Sequence, residues 1–170
     1  MVHRLPRLPF PPSIQVQDII KNFIAARKNS KAPSAFFIYR RTYTEFLRNN
    51  YYDFKSLKNK ISVIASTVWK QEPQTVKYKY EQLSEEVAKE LIETMLKEHE
   101  IERIDYLKFD DIKEVGRGGN AIVYSAKYSG EVIAYKMSIY TEKCKFANKL
   151  KYLIAANGHQ NIIRFLGITT

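Results

Sequence analysis

A long helical segment of the chain opens with the stretch Lys31-Ala32-Pro33-Ser34-Ala35-Phe36-Phe37-Ile38-Tyr39-Arg40-Arg41. Ser34 is a favoured N-cap residue, because its side-chain oxygen can accept a hydrogen bond from a backbone N–H of the first turn. The pattern predicts a helix from Ser34 to about Arg48. Adjacent residues point about 100° apart on a helix, so Phe36 and Phe37 cannot both face one narrow core. We therefore expect one of the two rings to have a partner outside the core.

Two further helices follow with short connections. A second helix is predicted from about Ser56 to Lys70, and Glu72-Pro73 then makes a turn. A third and longer helix is predicted to begin near Gln74. So small a domain needs bulky anchors to close its core. The aromatic residues that we assign to this core are Phe36, Trp69 and Tyr80.

The positive charge of the chain is concentrated in its first half. The formal net charge is +10. Residues 1–80 contain 15 Lys or Arg against 4 Asp or Glu, whereas residues 81–170 contain 13 against 14. A one-sided basic block suits a polyanionic partner, because each neutralised phosphate releases condensed counterions. From charge alone, a solvated basic face or a surface for acidic lipid remains an alternative.

Membrane, metal and disulfide classes are disfavoured by composition. No apolar run approaches the roughly 18–20 residues that span a bilayer. Prolines interrupt residues 1–12, which therefore do not read as a secretory signal. The single cysteine, Cys144, excludes an internal disulfide and a cysteine-based zinc site. We expect no metal, no membrane partner, and a reducing compartment, either the cytosol or the nucleus.

The residue pattern changes from one typical of helices to one typical of β-strands after about residue 103. Short alternating apolar runs within Phe109–Met137 predict strands. A helix is predicted from about Thr141 to Ala155, and a last strand over Asn161–Gly167. We thus expect an all-α domain followed by a small α+β part. The predicted boundaries are 1–30 for an N-terminal extension with a short amphipathic helix (Ile14–Arg27), 31–100 for the helical domain, 101–108 for a linker or helix extension, and 109–170 for the β-rich part.

Three segments of the helical half, taken together, resemble an HMG box of the sequence-specific kind. Residues 31–41 match its opening, typically Arg-Pro-x-Asn-Ala-Phe-apolar-x-Tyr or Trp. Residues 60–70 resemble the second-helix signature that ends in Trp-Lys, and residues 76–84 are similar to the start of the third helix. Among these boxes, the fungal mating-type class also tends to have a proline-rich lead like Phe10-Pro11-Pro12.

The resemblance implies an L-shaped three-helix fold whose concave face lies in the minor groove of A·T-rich double-stranded DNA. Boxes of this type insert an apolar wedge between two base pairs and bend the duplex. The wedge position matches Phe37; the alternative places this ring at the edge of the core or against the N-terminal helix. The residues that the resemblance assigns to DNA are Lys31, Ser34, Phe37, Arg40, Arg41, Lys58, Lys60, Ser62 and Lys70.

The β-rich half resembles the N-terminal lobe of a protein kinase, here a partial one. Residues 109–124 look like the first strand and glycine-rich loop, and Ile133-Ala134-Tyr135-Lys136 is similar to the strand with the nucleotide-contacting lysine. Residues 159–167 resemble the segment after the regulatory helix. The nucleotide-binding positions that the resemblance implies, as a vestige, are Gly116, Gly118, Gly119, Val123 and Lys136.

Phosphoryl transfer needs groups that we do not find in this sequence. The position of the glutamate that should pair with Lys136 matches Lys149, and Glu142 lies about two turns too early. The sequence has no His-Arg-Asp catalytic loop and no metal-binding Asp-Phe-Gly. We therefore expect no catalytic residues and no enzymatic activity, and no cofactor beyond possible weak binding of ATP.

Taken together, the sequence favours a DNA-bending protein of the nucleus, with a role in transcription regulation. One alternative is a kinase-like module that binds nucleotide or protein, with the helical half as a docking domain. Another is a basic structural protein that binds DNA by shape. Ser34 keeps that option open, because most of these boxes have an asparagine there, and serine cannot make the bidentate contacts of an amide. Protein partners are not predicted.

Overall fold

In the computed structural model, the chain combines an α-helical region with a smaller region of β-sheet. The structure describes residues 6–25, 31–50, 54–139 and 142–169, without the side chains of residues 22–25, 55, 56 and 58. Two compact units divide the chain, Met1–Leu91 and Ile92–Thr170. The expected order, helices first and then an α+β part, is confirmed at this coarse level.

The helices of the first unit lie close to the positions that the sequence predicts. Their bounds are α1 Val16–Ala25, α2 Ala35–Asn50, α3 Phe54–Leu57, α4 Ile61–Gln71 and α5 Gln74–Glu98, of which α5 continues into the second unit. Ser34 precedes α2 and its Oγ accepts a hydrogen bond from the Phe37 N–H at 3.3 Å, as expected of an N-cap residue. The predicted continuation of α1 to Arg27, and residues 28–30 after it, lie outside the described residues.

The second predicted helix is interrupted. A 3₁₀ turn, Lys58–Lys60, separates the short α3 from α4, where we expected one helix from about Ser56 to Lys70. Asn59 lies in the middle of this turn. Asparagine side chains compete with the helix for backbone hydrogen bonds, and tighter turns are common at helix ends. The break makes Ser62 a first-turn residue of α4.

One apolar core joins the helices of the first unit. Its buried members are Ile19, Ile38, Tyr39, Tyr43, Leu47, Ile61, Ala65, Val68, Tyr80, Leu83, Val87 and Leu91. Phe36 and Trp69 are partly buried against it, so the three predicted core aromatics are confirmed. Leu8 and Ile14 also pack on this core, and the Tyr43 hydroxyl donates a 3.0 Å hydrogen bond to the Pro6 carbonyl. The N-terminal extension is thus part of the packed unit.

Three antiparallel strands form a sheet in the order β2-β3-β4, with β2 Asp110–Arg117, β3 Ala121–Tyr128 and β4 Glu131–Ser138. The strands predicted within Phe109–Met137 are confirmed. Ser129 and Gly130, both with positive φ, make the two-residue turn between β3 and β4. Such a turn suits a tight hairpin because its twist matches that of the strands. Register shifts interrupt the pairing of β2 with β3.

The second unit also contains a short parallel pair of strands and a helix. β1 Glu102–Ile104 pairs with β5 Gly167–Thr169, and α6 spans Lys143–Ala156 near its predicted place. The segment 101–108, predicted as a linker or a helix extension, follows the end of α5 at Glu98 and contains β1 and a 3₁₀ turn, Tyr106–Lys108.

The predicted last strand over Asn161–Gly167 is wrong apart from Gly167, since the strand begins at that residue. The Asn157 side chain provides the physical reason. Its amide donates to the Phe165 carbonyl at 3.2 Å and accepts from the Phe165 N–H at 2.9 Å. These contacts occupy backbone groups that a neighbouring strand would otherwise bind.

Candidate nucleic-acid interface

An aromatic cluster at the centre of the first unit holds α2, α4 and α5 together. The Tyr39 ring centre lies 4.8 Å from that of Trp69 and 5.2 Å from that of Tyr80. Its hydroxyl donates a 2.8 Å hydrogen bond to the buried carboxylate of Glu72, in the turn between α4 and α5. Burial, and then the Glu72 hydrogen bond, raise the pKa of the Tyr39 hydroxyl. The Tyr39 hydroxyl therefore keeps its proton at neutral pH. The role of the cluster is structural, because its rings pack α2, α4 and α5 together.

Phe36 and Phe37 take different environments, as the helical geometry requires. The Phe36 ring is partly buried with its centre 6.2 Å from that of Trp69. The Phe37 ring is 46% exposed. Because the two side chains diverge by about 100° around α2, anchoring Phe36 in the core turns Phe37 outwards. The prediction that one of the two rings has no place in the core is confirmed.

Arg40 and Ser62 lie beside the exposed ring. The Arg40 guanidinium carbon is 5.0 Å from the centre of the Phe37 ring, within the range of a cation–π contact. Its Nη1 approaches Ser62 Oγ of α4 at 3.5 Å, a long polar contact. Ser34 Oγ also accepts a hydrogen bond from the Phe37 N–H. These contacts connect four predicted DNA-contact residues. We call Ser34, Phe37, Arg40 and Ser62 the Phe37 surface.

The chemistry of the Phe37 surface combines one apolar ring with polar donors. Ser34 uses its oxygen as the acceptor of the N-cap bond, so its hydroxyl proton remains able to donate. Arg40 has five N–H donors in one plane, and Ser62 adds a second hydroxyl. Hydroxyls and a guanidinium around a ring fit a sugar-phosphate backbone beside an apolar base step.

The other predicted phosphate contacts are distributed around this surface. Lys31, Lys60 and Lys70 are exposed. Lys60 is two residues before Ser62, whereas Lys70 is eight residues after it, about 12 Å along the axis of α4.

The last two predicted contact residues are Arg41 and Lys58. Arg41 is half-buried and its Nε lies 3.3 Å from the Glu45 carboxylate, so a phosphate would have to displace that pair. Lys58 lies in the 3₁₀ turn, but its side chain is outside the described part of the structure.

The backbone just before α2 is held by a contact that the sequence did not predict. The buried Ser84 hydroxyl on α5 donates a 2.8 Å hydrogen bond to the Pro33 carbonyl. A signal was available, because Ser84 falls on the same helical face as the core residues Tyr80 and Val87. A polar residue on a buried face needs a partner. The bond anchors the backbone immediately before the N-cap residue Ser34.

Several predicted nucleotide-binding residues form one row across the sheet of the second unit. Val123 on β3 pairs with Gly116 on β2 and with Lys136 on β4. Residues directly opposite in neighbouring strands place their side chains on the same face, so Val123 and Lys136 share one. The Gly118 N–H donates to the Ala121 carbonyl at 2.9 Å, which closes the glycine-rich turn.

The glycines of this turn are not required by packing within the chain. A Cβ atom built at Gly116 or at Gly119 would meet no atom within 4 Å. At Gly118 the nearest contact would be the Ala121 carbonyl at 3.8 Å, which is ordinary van der Waals distance.

Two charged residues bear on the predicted pairing of Lys136 with an acidic residue, Glu142 and Lys149. Glu142 precedes α6 and its carboxylate binds the Lys145 ammonium at 2.8 Å. Lys149 is exposed on α6. Among the described residues there is no group of three or more His, Cys, Asp or Glu side chains suited to hold a metal ion. The described helices also include none with the length and apolar character needed to cross a bilayer.

Comparisons of the chain with protein-family models, with curated proteins and with solved structures find no match.

Proposed function

We propose that residues 31–100 form an HMG box that binds double-stranded DNA in the minor groove, inserts Phe37 between two base pairs and bends the duplex. The observation that carries this proposal is the Phe37 surface. It presents a half-exposed ring near the start of α2, with the Arg40 guanidinium over the ring, the Ser34 hydroxyl on the Phe37 backbone and the Ser62 hydroxyl on Arg40.

The energetics of the exposed ring favour a base step as its partner. A single exposed apolar side chain is ordinary in proteins. Here the exposed ring stands beside Arg40 and Ser62, and the first half of the chain has 15 basic against 4 acidic residues up to position 80. A base step offers a flat apolar partner for the ring, while the nearby phosphates offer counter-charges for the lysines and arginines. Neither an apolar protein groove nor free solvent satisfies both groups.

The degree of sequence discrimination follows from Ser34 and Ser62 of the Phe37 surface. Ser34 and Ser62 have one hydroxyl each, and a hydroxyl cannot distinguish bases as a bidentate amide does. The chain therefore prefers A·T-rich minor grooves over G·C-rich ones, with less discrimination among A·T sequences. A protein of this kind acts in the nucleus, as a regulator of transcription.

A titration of the full chain against short duplexes tests the binding mode. Fluorescence anisotropy of a labelled A·T-rich duplex should show binding that weakens steeply as salt rises. A small drug that occupies the A·T minor groove should release the protein, and a G·C-rich duplex should compete poorly. Binding that resists the drug, or no binding even at low salt, would overturn the proposal.

A second candidate function concerns the second unit and is favoured by the row that includes Gly116, Val123 and Lys136. Glycines that the chain's own packing does not need leave room for a phosphate group to approach the backbone. An exposed lysine on the same face as Val123 would supply the positive charge. Because Glu142 is paired with Lys145, we assign this row weak nucleotide binding without phosphoryl transfer, with the helical half as a docking domain.

Binding of a fluorescent ATP analogue to the full chain tests this second candidate. Lys136→Ala should weaken the binding, whereas Lys108→Ala, which also removes an exposed lysine of the same unit, should not. Equal binding by the wild type and by both variants would reject the row as the nucleotide site.

A further inference from the structure

Arg40 contacts the Phe37 ring and Ser62 with different parts of its guanidinium. The carbon atom of the group lies 5.0 Å from the centre of the ring, whereas Nη1 points to Ser62 Oγ at 3.5 Å. A guanidinium is a plane whose two faces can stack on an aromatic ring and whose N–H donors all lie at its edge. One arginine can therefore keep a ring and a hydrogen-bond acceptor at the same time.

We propose that Arg40 is a positioning residue that fixes the orientation of the Phe37 ring before DNA arrives; this inference rests on the proposed function. The face of the guanidinium supports one side of the ring. The edge is held by Ser62 and has further N–H groups for a backbone phosphate. Arg40 thus couples the entry of the ring into a base step to the contact with the strand beside it.

Support of the Phe37 ring by Arg40 matters because the N-cap bond at Phe37 holds its backbone and not its ring. Ser34 Oγ accepts from the Phe37 N–H, and this bond does not restrain rotation of the side chain. With 46% of the residue exposed, part of the ring faces solvent and is not packed by the core. A side chain that is ordered only on binding loses conformational freedom at that moment, which weakens the complex. Stacking by Arg40 orders the ring beforehand.

The same helix offers a matched control. The Arg48 guanidinium carbon lies 5.5 Å from the centre of the Phe54 ring, and Phe54 packs against the core. This pair has the same chemistry as Arg40 and Phe37, but its ring is not at the Phe37 surface. Replacing either arginine by lysine keeps the charge and removes the planar group. Arg40→Lys and Arg48→Lys therefore differ in which ring loses its support.

A measurement on the DNA-free protein tests the contact itself. In the NMR spectrum of the full chain, the Arg40 Nε–H resonance should be shifted by the current of the Phe37 ring. Phe37→Leu should remove that shift, and Phe10→Leu, which replaces another exposed ring, should leave it unchanged. An Arg40 resonance that is the same in Phe37→Leu and in the wild type would overturn the inference without any reference to DNA.

A bending experiment tests the consequence. The duplex is A·T-rich, with dyes at both ends and 2-aminopurine at its central step to report unstacking. Arg40→Lys should lower the affinity about two- to fivefold, because lysine keeps the charge but lacks the planar face that stacks on the ring. It should also reduce the bend and the aminopurine signal at saturation, with an unchanged salt slope. Arg48→Lys should bend the duplex like the wild type.

The outcomes separate this inference from the proposed function. If the wild type bends the duplex and Arg40→Lys bends it equally at saturation, Arg40 is no more than a phosphate contact and the inference is wrong while the function stands. If the wild type neither binds nor bends the duplex, the proposed function fails, and the inference fails with it.

Discussion

The Tyr39 hydroxyl donates a 2.8 Å hydrogen bond to the carboxylate of Glu72, which is only 6% exposed. This bond connects the middle of α2 to the turn between α4 and α5. A buried carboxylate that loses its donor is left without compensation for the water it has given up. The pair therefore ties α2, the helix that carries Phe37, to the turn between α4 and α5.

Tyr39→Phe should lower the free energy of unfolding by about 1–3 kcal/mol, because it removes a donor from a buried carboxylate. Urea unfolding followed by the fluorescence of Trp69, the single tryptophan, reports this unit. Glu45→Ala breaks the partly exposed pair with Arg41 and should cost less than about 1 kcal/mol. Equal losses in the two variants would show that the Tyr39–Glu72 bond has no special weight.

The stability of the first unit should fall as the pH rises from 10 towards 12. Burial raises the pKa of Tyr80 from 10.0 to about 12. Between these values the unfolded chain has released the proton that the folded chain still holds, so the unfolded state binds fewer protons and stability declines with pH. Below pH 10 this group contributes no slope.

Tyr80→Phe removes this titration and should show a shallower decline over the same pH range. Some decline remains in that variant, because the pKa of Tyr39 is also raised. Urea unfolding at several pH values on both sides of 10 checks the prediction. Parallel curves for the wild type and for Tyr80→Phe would contradict it.

Gly167→Ala should disrupt the parallel pair of β1 and β5. A Cβ atom at Gly167 would collide with the Glu102 carbonyl oxygen across the pair and would lie 3.3 Å from a methyl carbon of Ile104. Forcing extra volume into such a contact costs about 1–3 kcal/mol. Gly116→Ala is the matched control, because a Cβ atom there meets no atom within 4 Å.

Hydrogen exchange at Ile168 and Thr169 reads the result directly, since both residues pair with β1. Faster exchange at these amides in Gly167→Ala, but not in Gly116→Ala, is expected. Unchanged exchange in both variants would mean that β1 and β5 do not pair closely.

Lys60→Ala should lower the salt dependence of DNA binding by about one counterion, which is the effect expected from the loss of one phosphate contact. Lys60 is exposed just before Ser62 at the start of α4. Lys89→Ala removes an exposed lysine of α5 and serves as the control. Anisotropy titrations at several salt concentrations give both slopes. Identical slopes for Lys60→Ala and the wild type would remove Lys60 from the interface.

Periodicity and local chemistry account for much of this fold. The N-cap at Ser34 and the start of α5 at Gln74 could be predicted because both depend on residues close in sequence. The final strand was misplaced because an apolar run also suits a strand. Its true conformation depends on the Asn157 side chain, eight residues before Phe165, and such a contact leaves no periodic signal.

The candidate site was predictable in part. The divergence of Phe36 and Phe37 follows from helix geometry alone, and the structure places the two rings accordingly. The approach of Arg40 to Ser62 could not be derived, because Ser62 belongs to another helix. Side-chain contacts between helices depend on how the helices pack, and sequence spacing within one helix does not give that packing.

The bend that the full chain imposes on an A·T-rich duplex tests the central claim most directly. Energy transfer between dyes at the two ends measures the end-to-end distance at saturating protein, for the wild type, Phe37→Ala and Phe10→Ala. Phe10 is a matched control, since it is also a phenylalanine and 53% exposed. We expect a strong bend with the wild type and with Phe10→Ala, and a largely straight duplex with Phe37→Ala. An equally bent duplex with Phe37→Ala would contradict the role of Phe37 as the wedge.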